Sequence, residues 1–217
     1  MRSLLLATLT LLVAAPAASA AVTVDMEVAR VEAAYGDPTK VTGVVAVDGL
    51  PAAGHVVQLE GKRYPHTGEP AVIAKATTAS DGTYEFRENL SRNTVLQVRT
   101  AGAASIRKRV YVFPRSKLSY RSRGPNELKL TQRYVVPRGI KLDQPTLFYV
   151  GRRGKPRAPR AATAKLKRTR SGRYRSTAIV RIPEAWNGRF RYASCFRYTG
   201  GSGMGNPRAS CPRKFKF

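Results

Sequence analysis

The chain contains few side chains that could perform catalysis. His55 and His66 are its only histidines, and neither lies in an HExxH motif or a Cys/His spacing that binds zinc, so we predict no metal site and no cofactor. Ser202 follows two glycines, but Met204 stands where the nucleophile elbow G-x-S-x-G needs a glycine. The sequence therefore indicates a protein that is not an enzyme.

The side chains that do form a pattern are basic. The formal net charge is +26, and residues 22–113 hold 11 Lys/Arg against 10 Asp/Glu, whereas residues 114–217 hold 27 against three. Those three acids are not placed together as a glycosidase pair. Residues 151–170 (GRRGKPRAPRAATAKLKRTR) form an acid-free cluster that is not a phosphate-binding P-loop, because Pro156 follows its first lysine. Its nine basic residues are Arg152, Arg153, Lys155, Arg157, Arg160, Lys165, Lys167, Arg168 and Arg170.

Two interpretations of this cluster remain open. Many weak contacts to phosphate or carboxylate groups add together, which favours binding to an anionic cell-envelope polymer, an acidic polysaccharide or a nucleic acid. A surface that is merely solvated explains the same composition, because charge alone carries no ligand geometry. Tyr149 and Tyr174 are candidate stacking platforms for such a ligand.

The ends of the chain indicate its compartment. Arg2, the apolar run from Leu4 to Ala15 and the small residues before Ala21 form the pattern of a signal peptide, cleaved near Ala20. No later stretch reaches the ~20 apolar residues of a membrane span. We therefore expect a protein that is secreted or held at the cell surface.

In that oxidising compartment, Cys195 and Cys211 are expected to form a disulfide at the surface, closing a hairpin around a glycine-rich loop.

The elements that position these residues are short β-strands. Alternating stretches recur at the spacing of a β-sandwich, over residues 22–28, 39–47, 55–60, 71–78, 83–87, 93–99 and 106–113. Gly82 and Tyr84 recur as Gly172 and Tyr174, which predicts a second, similar set of strands. In that set the run Leu147 to Val150 and alternate apolar residues are expected to face inward. The opposite parity is basic and includes Lys129, Lys165, Lys167, Arg181, Arg189, Arg191 and Arg197.

Three stretches carry a resemblance to a known family. They are GVVAVDGLPAAGHVVQLE (residues 43–60), TTASDGTYEF (77–86) and SRNTVLQVR (91–99). The region that contains them resembles the bacterial Ig-like, carboxypeptidase-regulatory-like domains of secreted proteins, and GRFRYASCF (188–196) resembles part of a companion domain of similar exported proteins. The resemblance implies tandem β-sandwiches that act as spacers, adhesion modules or polymer-binding modules. It transfers no catalytic or binding residue to this chain.

Together these observations predict an all-β protein with two tandem Ig-like antiparallel β-sandwich domains after a signal peptide. The expected divisions are 1–20 for the signal peptide, 21–113 for a near-neutral sandwich and 114–217 for a strongly basic one. Because the joint at residues 113–115 is short and each strand set looks self-sufficient, the domains are expected to lie end to end and to unfold separately. The predicted function is a non-catalytic structural or binding module, with polyanion binding through the basic cluster as the alternative.

Overall fold

The structure is a computed structural model that describes residues 20–186, 188–198, 200–206, 208–209 and 211–216. The predicted signal peptide, apart from Ala20, lies outside the described residues. The described chain is all-β, as predicted, with two short 3-10 helices at Glu184–Trp186 and Gly200–Ser202. Among these residues no helix is long and apolar enough to cross a membrane.

Residues 22–113 form two sheets that we call the first sandwich. Its strands are β1 Val22–Val24, β2 Glu27–Val28, β3 Glu32–Ala34, β4 Thr39–Val47, β5 Leu50–Pro51, β6 Val56–Arg63, β7 Ala71–Thr77, β8 Thr83–Glu88, β9 Thr94–Thr100, β10 Ala103–Ala104 and β11 Lys108–Phe113. In one sheet β4 is central, with β1 and β2 on one side and β5 and β8 on the other. The other sheet has the order β3-β11-β9-β6-β7, and β3 runs parallel to β11. The chain therefore changes sheets between β2 and β3.

Residues 115–216 form two further sheets, the second sandwich. Its strands are β12 Arg115–Gly124, β13 Glu127–Val135, β14 Thr146–Arg152, β15 Arg157–Ala164, β16 Lys167–Arg170, β17 Arg173–Arg181, β18 Phe190–Phe196 and β19 Lys214–Lys216. The sheet orders are β12-β13-β17-β16 and β18-β14-β15-β19. Leu130 and Val180 of the first sheet and Phe148 and Val150 of the second pack in one buried cluster. The two sheets therefore pack face to face.

The repeat seen in the sequence corresponds to equivalent positions in the two sandwiches. Tyr84 and Tyr174 are each the second residue of a strand and follow Gly82 and Gly172 by two residues, and both glycines have a positive φ that a turn requires. Each tyrosine is buried, and its hydroxyl donates a hydrogen bond to a backbone carbonyl, of Asp25 and Ile140 respectively. The order β9-β6-β7 in the first sandwich likewise matches β18-β14-β15 in the second.

The last strand breaks this correspondence. Cys195 and Cys211 are joined by a disulfide with a Cα–Cα distance of 5.7 Å, as predicted, but the expected hairpin is wrong. β18 and β19 lie at opposite edges of their sheet, with β14 and β15 between them. The C-terminal segment, residues 211–216, instead crosses the outer face of this sheet, and we call it the crossing segment. The disulfide fastens the segment at β18, and pairing of Ala158 with Phe215 fastens it at β15.

This crossing segment changes the surroundings of two residues. Cys195 does lie on the outer face, but it is half-buried and packs with Tyr149, Ala158 and Ala193. Leu147 and Tyr149 were expected to face inward with their neighbours, but the strand alternates and both lie on the opposite face. Tyr149 is buried there because the crossing segment covers it. Its hydroxyl donates a hydrogen bond to the carbonyl of Pro212 at 2.6 Å.

Between the disulfide-bonded cysteines the chain contacts the first sandwich. We call residues 200–206 the clasp loop. The Asn93 backbone N–H donates to the Gly203 carbonyl at 2.8 Å, and the Gly205 N–H donates to the Val112 carbonyl at 2.7 Å. Met204 is buried in the same hydrophobic cluster as the core of the first sandwich. We therefore expect the two sandwiches to unfold together, contrary to the expectation from the short joint.

Candidate polyanion-binding surface

The outer face of the β12-β13-β17-β16 sheet is basic because of strict alternation along its two central strands. On β17 the residues alternate between exposed and buried throughout, so that Arg173, Arg175 and Arg181 point outward while Tyr174 and its even-numbered successors point into the core. On β13 the same alternation exposes Lys129 and Arg133 between buried residues. Each strand therefore has one apolar and one basic face.

The strand register brings these cations next to one another. Arg133 lies directly opposite Lys117 of β12 on one side and Arg175 on the other, and Arg175 lies opposite Lys167 of β16. Since neighbouring strands are ~4.8 Å apart, these four residues form a line of cations across the whole sheet. A second pair, Lys129 with Arg121, lies four residues further along the strands, at ~13 Å.

Between these two rows lies an open groove of about 670 Å³. We call it the basic groove, and its six cations are Arg121, Lys129, Arg133, Lys165, Lys167 and Arg175. Its floor carries the hydroxyls of Thr131 and Thr177, which can donate hydrogen bonds to oxyanions. The described residues that line the groove include no carboxylate. The groove therefore offers cations and hydroxyl donors together, a combination that suits phosphate groups.

The cations of the groove repel one another without compensation from the protein. Among the described residues, this sheet makes two ion pairs, Arg181 with Glu127 at 3.7 Å and Arg115 with Asp37, and both lie outside the groove. Like charges directly opposite each other on a sheet are destabilising, and the row contains three such neighbouring pairs. A bound polyanion would relieve this repulsion, so binding and stability are linked at this face.

The structure divides the nine predicted binding residues between different places. Lys165 and Lys167 line the basic groove, and Arg168 and Arg170 lie beside it on β16. Arg157 and Arg160 belong to β15 of the other sheet. Arg152 ends β14, and Arg153 and Lys155 lie in the turn that follows. The contiguous cluster in the sequence is therefore not one surface in the fold.

Sequence reasoning missed most of the groove because its cations are far apart in the chain. Arg121, Arg133 and Arg175 were not singled out as candidate binding residues, and Lys129 was noted only for its outward parity. The signal was the alternation itself: within β13 and within β17 the basic residues are an even number of positions apart, so they share one face of the strand. What the sequence lacked was the register that places the strands side by side.

The predicted stacking platforms are not available to a ligand. Tyr149 and Tyr174 are both buried, so the interpretation of these rings as stacking surfaces is wrong. Burial raises the pKa of Tyr149 above its ordinary value, against the opposing effect of the nearby Arg160 guanidinium. At the rim of the groove Tyr120 is 51% exposed, but its ring packs against Phe190 and Tyr192. A ligand in the groove would therefore be contacted mainly through charge and hydrogen bonds.

The other residues considered for catalysis, His55, His66 and Ser202, either lie close to backbone atoms or line a surface recess. The Nδ1 atom of His66 lies 2.9 Å from the Lys62 carbonyl, and the Ser202 hydroxyl lies 3.3 Å from the Met204 backbone nitrogen within the clasp loop. His55 lines a shallow recess at the end of the first sandwich. In the part of the chain that the structure describes, no three His, Cys, Asp or Glu side chains cluster closely enough to hold a metal ion.

Comparison with known proteins does not assign this arrangement to a family. The chain matches no protein-family model and no curated protein. The basic groove must therefore be interpreted from its own geometry.

Proposed function

We propose that this protein is an exported, non-catalytic binding module that holds a linear phosphate-bearing polymer in the basic groove. In this proposal its two sandwiches are tandem Ig-like domains, divided near residue 114. The observation that carries the proposal is the basic groove, in which six cations surround the hydroxyls of Thr131 and Thr177 and no carboxylate is found among the described residues that line it. The disulfide supports a location outside the cytoplasm.

The shape of the groove favours a polymer over a small anion. Its cation rows are ~13 Å apart along the strands, and one row extends over four strands, or ~14 Å. A single phosphate contacts only a few of these side chains, whereas a chain that repeats its negative charge contacts both rows together. Affinity then arises from several contacts and from release of the counterions that the polymer had condensed.

A pair of matched variants tests whether the groove is the binding site. Arg133→Gln/Arg175→Gln removes two neighbouring cations from the groove, and Arg30→Gln/Arg109→Gln removes the same charge from exposed positions of the first sandwich. We would measure binding of fluorescent oligothymidylate by anisotropy at several salt concentrations. Because each neutralised phosphate of a single strand contributes ~0.7 to the slope of log K against log salt, the groove variant should lower the slope by about 1.4.

The control variant should leave the slope close to that of the unaltered protein. Equal slopes for the two variants would show that only net charge matters, and the groove would lose its assigned role. Competition with inorganic polyphosphate, a poly(glycerol phosphate) and a polyuronate separates the sources of the anionic group. If the polyuronate competes as well as the phosphate polymers, the preference for phosphate is refuted.

A further inference from the structure

The second sandwich is cationic on both of its outer sides. The strands of the β18-β14-β15-β19 sheet contain no Asp or Glu. On its outer face Arg160 lies directly opposite Tyr149, and Arg160 and Arg213 line the same recess of about 420 Å³ beside the crossing segment. Arg191 is exposed on this face, two residues from Ala193. We call Arg160, Arg191 and Arg213 the second basic face.

The basic groove and the second basic face point in opposite directions. The two sheets share one buried cluster between them, so the face that each sheet turns to solvent is directed away from the other. Packed sheets are ~10 Å apart, and the side chains on each outer face extend this separation further. A short extended chain bound in the groove therefore cannot also contact the second basic face.

We propose that one molecule binds two polymer chains at once and bridges them. This inference rests on the proposed function, and it adds a second site and an activity: crosslinking of linear phosphate polymers. Charge complementarity identifies the occupant of the second face, because the described residues of its recess present two guanidinium groups and no carboxylate. Since both sites lie on one sandwich, the two bound chains are held close to each other.

Energy transfer between two labelled chains provides a direct test. Donor-labelled and acceptor-labelled oligothymidylates, each too short to reach around the sandwich, would be mixed in excess over the full mature protein. Energy transfer then reports two chains on one molecule, while anisotropy reports binding of either chain. Three variants with the same net charge are compared: Arg133→Gln/Arg175→Gln in the groove, Arg160→Gln/Arg213→Gln on the second basic face, and Arg30→Gln/Arg109→Gln in the first sandwich.

The unaltered protein and the first-sandwich variant should give energy transfer. The groove variant and the second-face variant should each still bind one chain at the unaltered site. Their energy-transfer signal should be about tenfold lower than that of the unaltered protein, because the other site is weakened. Transfer that is equal in all three variants would overturn the bridging inference and leave simple binding intact. If the unaltered protein shows no anisotropy change, the proposed function itself fails, and the bridging inference fails with it.

Discussion

Replacing Asn93 by alanine should uncouple the clasp loop from the first sandwich. Asn93 is buried, and both polar atoms of its side chain form hydrogen bonds. The Val112 N–H donates to the Asn93 Oδ1, and the Asn93 Nδ2 donates to the Gly205 carbonyl, each at 2.8 Å. Val112 belongs to the strand β11 of the first sandwich, whereas Gly205 belongs to the clasp loop of the second. One amide side chain therefore joins the two sandwiches.

The cost of the substitution can be estimated from the groups that lose their partners. Alanine leaves one buried N–H and one buried carbonyl without a hydrogen bond, and each such loss costs about 1–3 kcal/mol. Two losses with partial relaxation amount to about 3 kcal/mol in the free energy of unfolding. For a chain of this length, a loss of that size lowers the melting temperature by roughly 6–12 °C.

The measurement is thermal unfolding of the full mature chain, followed by circular dichroism and calorimetry. Asn89→Ala is a matched control, because Asn89 is exposed four residues earlier in the same connection. We expect the control to change the melting temperature little. If Asn93→Ala were as stable as Asn89→Ala, the two hydrogen bonds of the Asn93 side chain would contribute nothing to stability. The clasp loop would then hold the sandwiches together only through its backbone hydrogen bonds and the buried Met204.

Three further predictions concern the clasp loop and the buried rings. Gly205→Ala should lower the free energy of unfolding by more than about 1 kcal/mol, because Gly205 has a positive φ and an added Cβ would collide with the Tyr198 ring. Gly201→Ala should be neutral in the same melting experiment, because open space surrounds the added atom. Thiol labelling of the folded, non-reduced protein followed by intact-mass analysis should find no free cysteine, and two labelled thiols would contradict the disulfide. Burial raises the pKa of Tyr134 to about 12. The stability that the neutral ring contributes is therefore complete below pH ~10 and is lost as the pH rises toward 12. In alkaline denaturation curves, Tyr134→Phe should lose less stability over this pH range than the unaltered protein.

Much of the fold could be predicted from alternation and turn chemistry. The second predicted strand, residues 39–47, has the same bounds as β4, and the other main strands of the first sandwich are within three residues of their predicted ends. The short strands β3, β5 and β10 were missed because two or three residues show no period. The inward positions of β17 were correct, since the strand alternates over its whole length.

The errors occurred where distant parts of the chain meet. Parity placed Cys195 on the outer face correctly, but sequence spacing could not show that Cys211 reaches it by crossing a sheet rather than by turning back in a hairpin. The glycine-rich stretch was interpreted as a simple hairpin loop. Its role in contacting Asn93 depends on the orientation of one sandwich against the other, which no local pattern in the sequence encodes.

The crossing C-terminal segment also explains why the open groove lies on the β12-β13-β17-β16 sheet and not on the opposite one. The outer face of the β18-β14-β15 strands carries the apolar side chains of Tyr149, Ala158 and Ala193, which need a cover, and the segment fastened by the disulfide supplies it. The outer face of β13 and β17 carries lysine, arginine and threonine at the central positions, and these side chains are favourable in water. That face therefore needs no cover and remains open along its length. A long anionic polymer can lie across it, whereas on the opposite side the same polymer meets arginines arranged around an occupied centre.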